Sequence, residues 1–226
     1  MGINKKYLLS LGVAYYPEKE MVRLQKQASL GWHFVKMNRL GFLKFIKGDP
    51  ETTKYAVDFF EGEPSEIVDY LAMYQAGGWT YISNYKDRYF YFKASPDTPA
   101  IFSDQESYQE RIDNETRYLM KKSILLSVIS LVILAAIYFL IRYFNIRTNP
   151  FWSFGLGLIT GLVFIPIGVG LTTILMKFLY KNRASYYNEP EKLAKRQRVI
   201  RDTVILMFVG ALIGAVIGFF FSDIFY

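Results

Sequence analysis

The chain has 226 residues, 52% of them hydrophobic, no cysteine, and 27 Lys and Arg against 20 Asp and Glu, a net charge of +7. The lack of thiols excludes disulfides, thiolate metal sites and a cysteine nucleophile. The basicity does not point to nucleic acid: residues 1–122 hold 17 bases against 16 acids (+1) and residues 123–226 hold 10 against 4 (+6), the distribution that membrane topology demands.

At the start, Lys5-Lys6 followed by a short apolar run mimics a signal peptide, but the run is at the lower length limit and Tyr15-Tyr16-Pro17 makes a poor cleavage site. Tyr7–Ala14 is therefore expected to be a β-strand. A shift of 47 residues then lays the chain on itself, matching Gly31-Trp32 to Gly78-Trp79, Leu24 to Leu71, Phe34 to Tyr81, Leu43 to Phe90 and Phe45 to Phe92. Such self-similarity is the signature of a duplicated unit. In each copy a helical stretch ends at Gly and a Trp opens an extended run. Met21, Leu24 and Ala28 share one helix face, as do Ile67, Leu71 and Tyr74. Asn38–Gly41 and Lys86–Arg88 are polar turns, and Tyr55–Phe60 is the second copy's first strand. The expectation is an α+β domain over residues 1–102, a β-α-β-β unit repeated at about 6–47 and 54–93, with helices on one face of an antiparallel or mixed sheet.

The aromatic run Tyr89-Phe90-Tyr91-Phe92 divides by the same comparison. Phe90 and Phe92 match Leu43 and Phe45 and are expected in the core. Tyr89 and Tyr91 match Phe42 and Lys44, and the lysine places them on a partly exposed face as a candidate partner surface. Trp32 and Trp79 are expected to do equivalent packing work.

After Pro99, Ser103 and Glu106 form a capping-box pattern, predicting a helical stalk over 103–122. The ordered set of Glu18-Lys19-Glu20, Leu24 to Gly31-Trp32, Tyr55-Ala56-Val57-Asp58, Gly78-Trp79 with the run to Phe92, and Ile101-Phe102-Ser103-Asp104 followed by Glu106 and Arg111 resembles the bacterial family Domain of Unknown Function 2812. The resemblance covers roughly the first half of the chain. It implies a soluble domain joined to a few membrane helices and a genomic association with a PadR-type regulator. It implies no activity and no catalytic residue.

Residues 123–144, 153–179 and 203–221 read as three transmembrane helices. Bases crowd before the first span and between the second and third, so the N-terminal domain is expected in the cytoplasm and the C-terminus outside a plasma membrane. Gly157 and Gly161 in the second span, and Gly210, Gly214 and Gly218 in the third, recur every four residues and form candidate faces for helix packing or oligomerisation. Lys192, Lys195, Arg196 and Arg198 in the connecting loop are candidate contacts for anionic lipid headgroups.

No nucleotide, zinc-protease or nucleophile-elbow motif occurs. His33 is the sole histidine and has no clustered Cys or His, and Glu61, Glu63 and Glu66 sit at a helix start, where the helix dipole favours acids. No cofactor, catalytic residue or metal site is expected. The chain reads as a non-enzymatic membrane protein, its cytoplasmic domain a regulatory, sensory or scaffolding module, with membrane lipid and a protein partner or homo-oligomer as its contacts. The alternatives are a small oligomeric transport component or channel packed through glycines, and a membrane-tethered RNA-binding domain; no nucleic acid is expected under the leading reading.

Overall fold

The computed structural model describes residues 4–144 and 150–199, the side chains of 150–164 excepted. It divides into two compact units, Asp104–Ser185 and the remainder.

The first unit contains β1 (Lys5–Leu9), α1 (Pro17–Ser29), β2 (Trp32–Met37), β3 (Phe42–Lys47), β4 (Lys54–Phe59), α2 (Ile67–Ala76), β5 (Thr80–Tyr85) and β6 (Tyr89–Ala94). The strands form two antiparallel three-stranded sheets, ordered β1-β3-β2 and β4-β6-β5. The expected single sheet is thus two sheets of the same topology.

The 47-residue spacing holds to the level of hydrogen-bond register. Phe34 faces Phe45 and Lys36 faces Lys44, just as Tyr81 faces Phe92 and Ser83 faces Tyr91. Both pairs carry a bulge, at Val35 and at Ile82. The helices start and stop alike. Pro17 opens α1 with Glu18 and Glu20 in the first turn, a Pro64–Glu66 turn leads into α2, and left-handed Gly31 (φ 75°) and Gly78 (φ 82°) end them. At Gly31 a side chain would meet the carbonyl oxygen of Gly48 at 2.6 Å, so the glycine is needed for space as well as for φ. The first strand is shorter than expected, because the chain turns at Gly12 (φ 95°) before α1.

Side-chain alternation decides what each sheet buries. In the first sheet, Phe34, Met37, Leu43 and Phe45 line a buried face that α1 covers with Leu24 and Ala28. In the second sheet both faces are covered. Ala56, Phe90 and Phe92 pack under α2 with Tyr74, Trp79 and Phe60, while Tyr55, Val57, Phe59, Tyr89 and Tyr91 form the opposite buried face, where α1 lies along β4 and Phe34 of β2 packs on Tyr91. The unbroken aromatic run Tyr89–Phe92 of β6 is what two-sided burial selects.

The second unit is a helix pair. α3 (Gln105–Tyr143) is one continuous 39-residue helix joining the expected stalk and first span. Its cap is Asp104, whose carboxylate accepts the Ser107 N–H at 2.8 Å, one residue beyond the expected Ser103. α4 (Pro150–Leu179) carries Pro166 within it and runs antiparallel to α3, since Ser123 meets Pro166 and Asp113 meets Lys177. Among the described residues one helix, α3, is long and apolar enough to cross a membrane, and its most apolar 18-residue stretch has no buried residue. This replaces the expected three-helix region with one qualifying helix; the third expected span, with Gly210, Gly214 and Gly218, lies outside the described residues.

Candidate functional site

The most concentrated polar chemistry of the first unit lies between the second sheet and α2. Asp58, on β4, is 5% exposed. Tyr70 and Tyr74, one helical turn apart on α2, donate to its Oδ2 at 2.7 and 2.6 Å, and the Phe59 N–H donates to Oδ1 at 2.7 Å. Burial, reinforced by the Asp58 charge, pushes the Tyr70 phenol far above its ordinary value, so it stays protonated and donates. A buried carboxylate with both oxygens occupied by inward donors acts as a pin between sheet and helix.

A second group gathers at the start of α1. Glu18 and Glu20 are 1% and 0% exposed. Gln197, from the helical residues 190–199, donates to Glu18 at 2.8 Å. Glu20 accepts the Leu11 N–H at 3.1 Å. Burial raises the Glu20 carboxyl above its ordinary value, against hydrogen bonds from Leu11 and Ser10 that lower it. The Tyr91 phenol is pushed up strongly by burial and then by the Glu20 charge.

His33 belongs to a surface cluster of polar contacts. Its Nε2 lies 2.7 Å from the Asp49 carbonyl and its Nδ1 3.3 Å from Glu51, which Lys93 approaches at 3.7 Å. A carbonyl accepts only, so Nε2 carries the proton, and an ion pair with Glu51 needs a doubly protonated ring.

The sequence-predicted residues fall as follows. Phe90 and Phe92 are fully buried, as expected. Tyr89 and Tyr91, expected on a partner surface, are 6% and 0% exposed. Their rings pack on Phe59 at 5.4 Å and Phe34 at 4.8 Å, so neither offers a face for stacking. The inference failed because a repeat transmits register, whereas cover depends on what lies outside the repeat. The two tryptophans also differ: Trp79 is in the core, while half-buried Trp32 lies between the Lys6 and Lys47 ammonium groups, 5.4 and 5.1 Å from its ring. Glu66 accepts the Glu63 N–H at 2.9 Å, and Glu61 offers its carbonyl to Arg88.

Lys192, Lys195, Arg196 and Arg198 are exposed around the buried Leu193, Ala194 and Gln197, with Lys192 on Glu189 at 2.7 Å. Gly157 and Gly161 lie within α4. The close approach of α3 and α4 that the described side chains show is at Gly170, where a Cβ would meet Ser123 Oγ at 2.6 Å. Sequence reasoning also missed Arg88, whose Nη1 donates to the carbonyls of Phe60, Glu61 and Gly62 at 3.1, 2.9 and 3.2 Å. It missed the buried pair Arg111–Glu115 (2.9 Å) as well, though the four-residue spacing could have signalled it.

No curated protein and no solved structure matches the chain. The family model described as "Protein of unknown function (DUF2812)" matches residues 16–124, from just before α1, through both sheets and into α3. That match assigns residues 16–124 of the chain to the DUF2812 family.

Proposed function

We propose that this chain is a non-enzymatic integral membrane protein of the plasma membrane, whose cytoplasmic α+β domain is a regulatory, sensory or scaffolding module for a protein partner. The observation that carries the reading is α3: a helix that begins directly after the domain and turns from a polar segment into an exposed apolar one, with Leu125, Val132, Phe139 and Tyr143 all more than 45% exposed. Such a surface calls for lipid or apolar protein around it. The exposed bases of 192–198 favour anionic headgroups on the domain's side and a multi-pass topology with the C-terminus outside. The interior commitment of Asp58, Glu18 and Glu20 favours packing roles for these acids over catalytic ones.

Alkaline carbonate washing of native membranes should leave the chain in the pellet, and cross-linking there should recover it with a second, different protein in fixed stoichiometry. Release into the carbonate supernatant overturns the membrane placement. Recovery without a second protein across several cross-linkers overturns the module reading.

A further inference from the structure

The two β-α-β-β copies differ most in one respect. The face of the second sheet that bears Tyr55, Val57, Phe59, Tyr89 and Tyr91 is 0–6% exposed. Register assigns the equivalents in the first sheet: Tyr91 and Lys44 lie 47 positions apart on the two central strands β6 and β3, and Phe59 faces Tyr89 as Leu9 faces Phe42. These equivalents lie in the open. Tyr7 is 54% exposed, Leu9 59% and Phe42 37%, and Ile46 on the same face 44%. An apolar sheet face open to water calls for a cover.

The chain itself shows what covers such a face. On the second copy the cover comes from the first: Phe34 packs on Tyr91, the Tyr91 hydroxyl donates to Met37 Sδ at 3.8 Å, and α1 lies along β4. Advancing Phe34 and Met37 by 47 gives Tyr81 and Asn84 on β5, and the helix equivalent to α1 is α2, with Val68 on it. Tyr81 is 40% exposed and Val68 74%. Among the described residues, the tandem therefore has an exposed sheet face at one end and, at the other, a surface where Tyr81 packs on Phe90 and Phe92 of its own sheet yet stays part-exposed.

Charge agrees with the pairing. The open sheet face carries Lys5, Lys36 and Lys44, and no acid on its three strands; the exposed side of α2 carries Asp69 and no base, with Glu66 in the turn before it. Opposite fields of this kind fix partner and orientation.

We infer that the open face of the first sheet binds a second copy of this chain, through the α2–β5 surface of that copy, by repeating between chains the contact that joins the two halves within one. The interface is heterologous, with Lys44 of one chain meeting Tyr81 of the next, and it closes when two chains satisfy each other reciprocally or several form a ring. The inference does not depend on the membrane placement.

The cysteine-free chain makes the test direct. Full-length Lys44→Cys and Tyr81→Cys forms with different tags are co-expressed and treated in their membranes with a short bis-maleimide. A mixed-tag adduct is expected, at least about tenfold above the yield from two Lys44→Cys forms. Adding Leu9→Glu, at an exposed position, should remove the adduct while leaving the unfolding midpoint unchanged. No mixed adduct, equal yield from the Lys44→Cys pair, or indifference to Leu9→Glu overturns the inference. So does a purified Lys44→Cys chain whose thiol is shielded by phosphatidylserine vesicles rather than by the second chain, which would assign the face to lipid.

Discussion

Glu20 shows how one buried group makes stability depend on pH. Its folded-state pKa is raised by burial, so the unfolded chain ionises first as pH rises and folding is penalised from the unfolded value upward, near 4.5. Glu20→Gln keeps an oxygen acceptor for the Leu11 N–H. It should raise the unfolding midpoint of the detergent-solubilised chain at pH 8, and the gain should fade as pH drops and vanish below about pH 4.5; a gain independent of pH would mean the charge is not the cause. Arg88 works in the opposite sense. Its guanidinium holds three successive carbonyls of the β4–α2 loop, so Arg88→Met should cost about 1–3 kcal/mol, the usual loss for hydrogen bonds from a charged donor. Amide exchange should show the loss concentrated between Phe60 and Glu66.

The elements differ in how far local pattern specifies them. The strands and helices of the first unit were legible because Gly-Trp, the turns and apolar positions recur at one spacing, and Pro17 and Pro64 punctuate both helix starts. Phe90 and Phe92 were legible because both copies keep those positions apolar. Tyr89 and Tyr91 were not, because Lys44 reports an open sheet while Tyr91 belongs to a covered one. The contact of Gln197 with Glu18 joins residues 179 apart, and no local spacing encodes such a pair. For the cap of α3, Ser103 and Asp104 are adjacent good N-cap residues, and pattern alone does not rank them. Helix packing in the second unit gives a sharper test. At Gly170 an added Cβ meets Ser123 Oγ at 2.6 Å but Ser123 Cβ at an ordinary 3.6 Å, and at Gly168 it meets nothing within 4 Å. Gly170→Ala should therefore lower stability by roughly 1–3 kcal/mol, Gly168→Ala should be near neutral, and in a Ser123→Ala background the Gly170 cost should shrink to a few tenths. Equal effects at the two glycines would show that backbone flexibility, not proximity, sets the cost.

At the scale of the molecule, a duplicated domain is followed by a helix that changes character along its length. Residues 105–143 contain neither glycine nor proline, the usual sources of a sharp kink, and at 1.5 Å per residue the helix is roughly 58 Å long. A rod of that kind has no joint at which motion is dissipated. Torque or tension applied to its first turn, where Asp104 is hydrogen-bonded to Ser107, would reach the Ile124–Tyr143 segment as rotation or tilt of one rigid rod.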